Sequence, residues 1–411
     1  WRTMRDLEPQ INEYYHLINA EDYEQAAKVL GQIDLPYMVI WGLGYTAKSL
    51  RVRLNGKLSE PHLVLEHLKS MSEIHHYQSE LEAARQYGAE GVELARSLGN
   101  REIEAYLLCR VFYNVGKVEN VQRALTLARD LDKPDILVLA LIEMAQMSRV
   151  SLNLDSACQY AREAEEIAER VGETRLQCEA IILYCFSALT QGRYADVIEH
   201  ARRAREAAEM SGFLWGESNS ENVLGIAHYG LGDHAKARNH LERALALYGR
   251  IYWRVGEGYV LNNLGILHLT TNALSLAETA LYQSASVGRE IDERRITVFA
   301  EFNLSQMHYL QRDYETALQD AKEATKIAFE IGLPEAEVCA AMSDFLHSMN
   351  RHEAVTDMAR SAVRVGLGTE NSIDLWCSRK LLEDALVLSS ATALAPHLTE
   401  LQALLARYSQ G

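Results

Sequence analysis

Proline is scarce. Only 6 prolines and 24 glycines interrupt 411 residues, so long helices meet few obligatory breaks. Cysteine is as rare: Cys109, Cys158, Cys178, Cys185, Cys339 and Cys377 make 6, and no two form a C-x-x-C pair. A disulfide framework and a structural zinc site are therefore not expected, and the thiols read as reduced packing residues in a cytoplasmic protein. Long apolar runs are missing too, because Glu, Arg, Gln or His breaks every stretch before the roughly 20 residues a membrane span needs. Positive charge is in deficit, 41 Lys and Arg against 57 Asp and Glu for a net −16. A surface of that sign repels a phosphate backbone, which argues against nucleic acid as partner. The chain starts at Trp1 with no initiator Met and no secretory leader pattern, so an excised or processed chain is expected.

What is plentiful is Ala, Leu, Glu and Arg, a helix-forming set, with hydrophobic residues at 48%, enough to bury a core. Within it runs a repeat. Ala157, Val197, Ala237, Ala277 and Ala317 stand 40 residues apart. Twelve residues before each is another small residue, Ala145, Cys185, Gly225, Gly265 and Ser305, preceded by Met144, Tyr184, Leu224, Leu264 and Leu304. Seven residues after the first column come Ala164, Ala204, Ala244, Ser284 and Ala324. Small residues on two helices let their backbones approach while the large neighbour fills the groove, so each unit reads as a helical hairpin.

Turn residues punctuate the pattern. QGRY at 191–194, Gly232-Asp233, Thr271-Asn272 and Arg312-Asp313 fall inside units; Gly172-Glu173, Ser211-Gly212 and Gly332-Leu333-Pro334 fall between them. Pro134 and Pro334 suit a first helical turn, where the missing N–H costs nothing. Looser copies extend the column to Val121 and Ala84, at spacings of 36 and 37, and to Ala354, 37 beyond Ala317, for about eight hairpins.

These residues resemble the tetratricopeptide repeat in a form with a longer second helix. NNLG at 262–265 and DYETA at 313–317 are close to that family's core motif, and the likeness covers roughly residues 60–365. The opening YYHLINAEDYEQA at 14–26, with YMVIWG at 37–42, resembles the entry to the C-terminal repeats of bacterial STAND-class (NB-ARC-like) signalling ATPases. The second resemblance implies a sensor half whose ATPase half precedes it.

Few residues suggest chemistry of their own. Gly42 to Ser49 imitates a phosphate loop, but Ala47 replaces the second glycine, and a Cβ there crowds amides that must curl round phosphate. A helix start is the expected role. The apolar run ILVLALIE at 136–143 imitates a metal-binding acidic strand end yet falls inside a repeat helix. His228, His268 and His308 recur at the repeat spacing, but equivalent residues lie roughly 10 Å apart, too far to share a metal. They read as packing histidines. HLVLEH at 62–67 and His75-His76 fail zinc-protease spacing. HARRAR at 200–205 reads as a solvated helix face, and the N-L-S acceptor at 303–305 lies inside a helix. No nucleophile and base recur together, so neither catalysis nor a cofactor is expected.

Asparagine is the functional signal. Asn222, Asn262, Asn263 and Asn303 sit inside helices, where Asn costs several tenths of a kcal/mol against Ala. An amide that both donates and accepts suits the backbone of an extended peptide. In tetratricopeptide proteins such first-helix Asn residues often hold a ligand, and the resemblance carries that role to Asn263 and Asn303 directly, less so to Asn222 and Asn262. Tyr229, Tyr259, Phe299 and Tyr309, with Trp215 and Trp253 at unit boundaries, would supply side-chain pockets. The alternative is that the amides bond between repeats.

The expected fold class is all-α, a right-handed α-solenoid of helical hairpins with a period of about 40 residues. Residues 1–60 would form a helical adaptor, 61–369 the array, and 370–411 capping helices that include LTELQALLARY at 398–408. The expected function is non-catalytic capture of a protein or peptide, as the sensing half of a larger signalling ATPase. A scaffold or regulatory arm of a fused effector such as a protease, or a receptor for a short signalling peptide, are the alternatives.

Overall fold

From Gly172 onward a residue in the left-handed region recurs every twenty positions, and Asp132 stands forty before it. Asp132, Gly172, Gly212, Tyr252, Asp292 and Gly332 follow the second helix of each hairpin, and Gly192, Gly232, Asn272 and Arg312 follow the first, with φ between +50° and +79°. Each reverses the chain, and the next N–H reaches back to a carbonyl five residues earlier, as from Asp233 to His228 at 2.9 Å and from Asp313 to His308 at 2.9 Å. That bond satisfies a carbonyl the helix end would otherwise orphan. The turn residues picked out by composition are thus helix caps.

The computed structural model describes residues 4–78, 80–111, 118–151 and 153–333. Ala354, Pro334, Cys339, Cys377 and the caps expected at 370–411 lie outside the described residues. After a 3₁₀ turn at Met4–Leu7 come α1 (Glu8–Asn19), α2 (Tyr23–Gly31), a π-helical turn at Asp34–Val39 and α3 (Gly44–Val52). The hairpins follow: α4 (Pro61–Tyr77) with α5 (Leu81–Ser97), α6 (Arg101–Val111) with α7 (Val118–Asp130), α8 (Pro134–Val150) with α9 (Leu154–Val171), and α10 (Thr174–Thr190) with α11 (Tyr194–Ser211). Then come α12 (Leu214–Gly230) with α13 (His234–Ile251), α14 (Arg254–Thr270) with α15 (Leu274–Glu290), and α16 (Arg294–Leu310) with α17 (Tyr314–Glu330). Among the described residues the secondary structure is entirely helical, as expected, and no helix is long and apolar enough to cross a membrane.

Pro61 and Pro134 occupy the first turn of their helices. Asp22, Asn153 and Asp313 cap α2, α9 and α17 by accepting a backbone N–H three residues on, each worth about 1 kcal/mol.

The small-residue column runs further than its 40-residue core. Ser72, Cys109, Ala145, Cys185, Gly225, Gly265 and Ser305 are all buried at the same place in successive first helices. The close approach is literal: a Cβ on Gly225 would lie 2.6 Å from Leu241 Cγ, and one on Gly265 would lie 2.4 Å from Leu281 Cδ2. Cys109, Cys158, Cys178 and Cys185 are buried in the same packing.

The chain forms two compact units. The first takes residues up to Ser187 with His200–Glu221 and Ala246–Trp253; the second takes Ala188–Glu199, Asn222–Leu245 and the described residues from Arg254. In the first unit, residues 4–58 build their own core around Tyr14, Leu30, Met38 and Leu50, sealed onto Ile74 of α4. Tyr14 donates to the Leu50 carbonyl at 2.6 Å, and the buried pair Asp34–Arg51 closes at 2.6 Å. The same segment also meets α12 and α13: Leu214 N–H donates to the Ile40 carbonyl at 3.2 Å, and the Tyr45 and Tyr252 rings stand 5.3 Å apart. In the second unit α14 to α17 stack in order, first helix against first helix.

Candidate functional site

The asparagines come together in the second unit. Asn263 of α14 donates its amide to Asn222 Oδ1 at 3.1 Å, and Asn303 of α16 donates to Asn262 Oδ1 at 2.9 Å. Asn222, Asn262 and Asn303 are buried, and Asn263 is half-buried. The repeat spacing places each donor beside the preceding hairpin's acceptor, so the amides bridge adjacent first helices. Asn263 keeps the most exposure of the four.

The aromatic candidates are half-buried around them. The Tyr259 and Phe299 rings stand 6.5 Å apart, and the Arg295 guanidinium lies 6.0 Å from the Phe299 ring. Tyr229 shares a 2.9 Å hydrogen bond with Thr270, and Tyr309 packs on Tyr314 with 5.8 Å between rings. Trp215 and Trp253 belong to the first unit, 5.4 Å apart, where Phe213, Tyr77 and Tyr248 complete an aromatic cluster.

The other motifs resolve into local roles. Gly44 opens α3, Ala47 is buried, and Lys48 pairs with Glu80 at 2.5 Å, so its ammonium is already committed. Ser49 donates to the Thr46 carbonyl at 2.9 Å. His228, His268 and His308 are buried, the first stacked on His240 and the last 2.7 Å from Asp320 Oδ2. His67 pairs with Asn55 at 2.7 Å. Arg203 pairs with Glu165 at 2.7 Å, and Arg205 with Glu209 and Glu221. Among the described residues no three His, Cys, Asp or Glu side chains are grouped to hold a metal.

A second polar centre lies in the first unit. Glu73 of α4, Arg110 of α6 and Glu179 of α10 are buried. Arg110 reaches Glu73 at 3.2 Å and Glu179 at 3.4 Å. Arg175 bridges the same two carboxylates, each at 3.3 Å, and donates to Tyr77 at 2.7 Å, whose hydroxyl donates to Glu179 at 2.7 Å. Two guanidiniums thus balance two carboxylates. Burial outweighs Arg110 at the third carboxyl, Glu143 of α8, and pushes its pKa up to about 8. Burial and the nearby Arg110 push His76 down to about 4, so it is neutral here.

No protein-family model and no curated protein matches the chain. Solved structures do. A Rap protein complexed with competence and sporulation factor is 14% identical, with 99% of this chain covering 100% of it at a TM-score of 0.57. The Rap conjugation gene regulator of plasmid pLS20, in complex with the Phr* peptide, is 15% identical over 85% of this chain and 96% of its own, at 0.59. A STAND protein with a tetratricopeptide repeat sensor from Pyrococcus horikoshii is 14% identical over 97% of this chain and 64% of its own, at 0.52. The fold is that of the tetratricopeptide-like repeat proteins.

In this tetratricopeptide-like frame, Glu143 holds the repeat position that Asn263 and Asn303 hold in α14 and α16. The signal was in the sequence: a lone carboxyl ending an apolar run, in register with the amides. The partnership of Glu73, Arg110, Arg175 and Glu179 had no such signal: Glu73 and Arg110 each follow the small-residue column by one residue, but Arg175 and Glu179 stand elsewhere in their repeat, and the four meet only when α4, α6 and α10 pack in one unit.

Proposed function

We propose that the chain is a non-catalytic module that binds a protein or an extended peptide through the first helices of its hairpins. The observation that carries this reading is the line of amides and aromatics along α12, α14 and α16, where Asn263 stays half-buried beside Tyr259 and Phe299. An amide row with flanking rings offers backbone hydrogen bonds and side-chain pockets at once. Support comes from the two Rap structures, similar in fold, which are complexes with competence and sporulation factor and with the Phr* peptide. The STAND protein extends well beyond the matched part, with this chain covering 64% of it. That supports a role as the sensing half of a larger cytoplasmic signalling ATPase, with residues 1–60 as the adaptor between the halves. An acidic net charge of −16 favours a basic or mixed-charge ligand over nucleic acid.

The test is capture of ligand from host lysate and medium by the purified chain, identified by mass spectrometry. Tyr259→Ala combined with Asn263→Ala serves as control, since both positions are half-buried. A peptide or protein retained by the parent and lost by the control, with the control's helical circular dichroism unchanged, supports the reading. A ligand held equally by both would move the interface away from the first helices and favour a scaffold.

A further inference from the structure

The first unit holds a small cavity where the phosphate-loop look-alike meets the repeats. Gly42 and Gly44 at the start of α3, Tyr77 and Gln78 at the end of α4, Trp215 of α12 and Ile251 of α13 wall it, and its space is about 300 Å³ with the part open to solvent included. None of the residues that line it is charged. The Tyr77 hydroxyl is already engaged, since it accepts from Arg175 and donates to Glu179. Gln78 is different. It is 5% exposed, and its backbone N–H closes α4 on the Ile74 and His75 carbonyls, yet among the described residues neither Oε1 nor Nε2 of its carboxamide has a hydrogen-bond partner. A buried amide with neither bond made is unfavourable, and a group that makes both relieves it.

The two glycines keep space beside that amide. Gly42 sits at φ +79°, and a Cβ on it would lie 2.8 Å from Ile251 Cγ2 and 3.1 Å from Leu214 Cδ1. A Cβ on Gly44 would lie 3.3 Å from Gln78 Nε2, so a side chain there would fill the cavity. The pair that imitates a phosphate loop in sequence thus opens a wall onto a carboxamide. Phosphate and carboxylate are poor occupants, because each only accepts and would set a negative charge against Gln78 Oε1. Lys48, one turn on from Gly44, is paired with Glu80 and offers no compensating charge. An ammonium only donates and would leave Nε2 unmet. A primary carboxamide donates and accepts along one planar edge, as Gln78 itself does. Its carbonyl would also meet the positive end of α3, whose N-cap residue Leu43 has no polar side chain. Trp215 and Ile251 suit an apolar body behind it.

We propose that this cavity is a binding site for an uncharged primary carboxamide carried on an apolar body. Gln78 gives one hydrogen bond and takes another, and Trp215 packs on the body. Every wall of the site belongs to the first unit. It is separate from the amides of α14 and α16, so it goes beyond the peptide-binding reading and does not depend on it. Two sources share the chemistry, a free small amide and the Asn or Gln side chain of a peptide, and the probes tell them apart.

For a free amide the probes are benzamide and nicotinamide, with benzoate, acetophenone and benzylamine as controls that each lack half of the edge. For a side-chain amide they are the N-acetyl methylamides of glutamine and asparagine, with those of glutamate and norleucine as controls. Binding to the full chain is titrated by saturation-transfer NMR. The expected result is a primary carboxamide that binds at least about tenfold tighter than its controls. Gln78→Met keeps an unbranched side chain of similar length and should abolish that margin with the helical circular dichroism unchanged. Gly44→Ala puts a methyl beside the amide within a helix and should weaken binding with Gln78 still present; if Gln78→Met loses helicity, this second variant decides. A margin shown by the free amides alone assigns a small-molecule ligand, and one shown by the glutamine or asparagine derivative alone assigns a peptide side chain; either supports the site. Carboxamides that bind no better than their controls, as when water alone meets Gln78, overturn the proposal. So does a margin that survives both variants. Each of these results leaves the peptide-binding reading where its own test puts it.

Discussion

The bond between Asn303 and Asn262 decides how any loss of binding in asparagine variants is to be read. Asn303 Nδ2 donates to Asn262 Oδ1 at 2.9 Å, and both residues are buried. Replacing Asn303 by Ala orphans the Asn262 oxygen, at about 1–3 kcal/mol. Ala is the better helix former by several tenths of a kcal/mol, which offsets part of that cost. Asn262→Ala orphans the Asn303 donor by the same logic. The double variant removes both partners and leaves no orphan, so it should cost less than the two singles together, by about 1 kcal/mol. Urea midpoints for the parent, both singles and the double, at constant slope, give the coupling. Hydrogen exchange in α14 and α16 checks that the loss is local to those helices. Additivity within about 0.3 kcal/mol would refute the claim that the pair acts as a unit. A clear coupling would mean that the buried amides hold helix to helix, leaving half-buried Asn263 as the amide best placed to meet a ligand.

Further outcomes follow from the same geometry. Gly265→Ala drives a methyl into Leu281 and should cost about 1–3 kcal/mol, read as a lower melting temperature; an unchanged value would mean that the helices separate freely. Arg312 is exposed at φ +66°, so Arg312→Gly should relieve backbone strain and raise stability by about 0.5 kcal/mol after the added freedom of the unfolded chain is subtracted. Arg51→Met leaves Asp34 buried without its 2.6 Å partner, and the segment 4–58 should lose about 3–5 kcal/mol, detectable as faster exchange in α1 to α3.

Stability should peak on the acid side of neutrality. Burial, with Arg51 and Arg110 respectively, pushes His67 and His76 down to about 4. The unfolded chain protonates first as pH falls below 6.5, and the stability tied to the neutral rings is lost on the way to 4. Glu143 has the opposite sign, since its contribution is complete below 4.5 and is lost as pH rises toward 8. Glu143→Gln should therefore flatten the alkaline fall, by about 1.4 kcal/mol per pH unit. Denaturant midpoints at pH 5, 6.5 and 8 measure it, and parallel profiles for parent and variant would contradict the buried-carboxyl reading.

Sequence alone determined the local rules of this protein. A small residue every 40 positions requires two backbones in contact, and the turn residues between columns require reversals, so the hairpins from α8 to α17 were legible before any coordinate. Even the left-handed caps were marked where glycine filled them, at Gly172, Gly192, Gly212, Gly232 and Gly332, and at Arg312 by the turn pair it forms with Asp313; Tyr252 gave no such sign, because the tertiary fold imposes a conformation that side chain does not favour. The asparagine column was legible as a column, but not its bonding, since a helical residue's partner depends on the angle at which the next hairpin docks. The irregular segment before Pro61 carries no period, and its seat against α4, α12 and α13 was decided by packing alone. The ionic centre is the sharpest case. Glu73, Arg110, Arg175 and Glu179 look like ordinary charges on ordinary helices. Tertiary structure brings them together and removes their water, and burial pushes the pKa of Glu143, beside them, up to about 8.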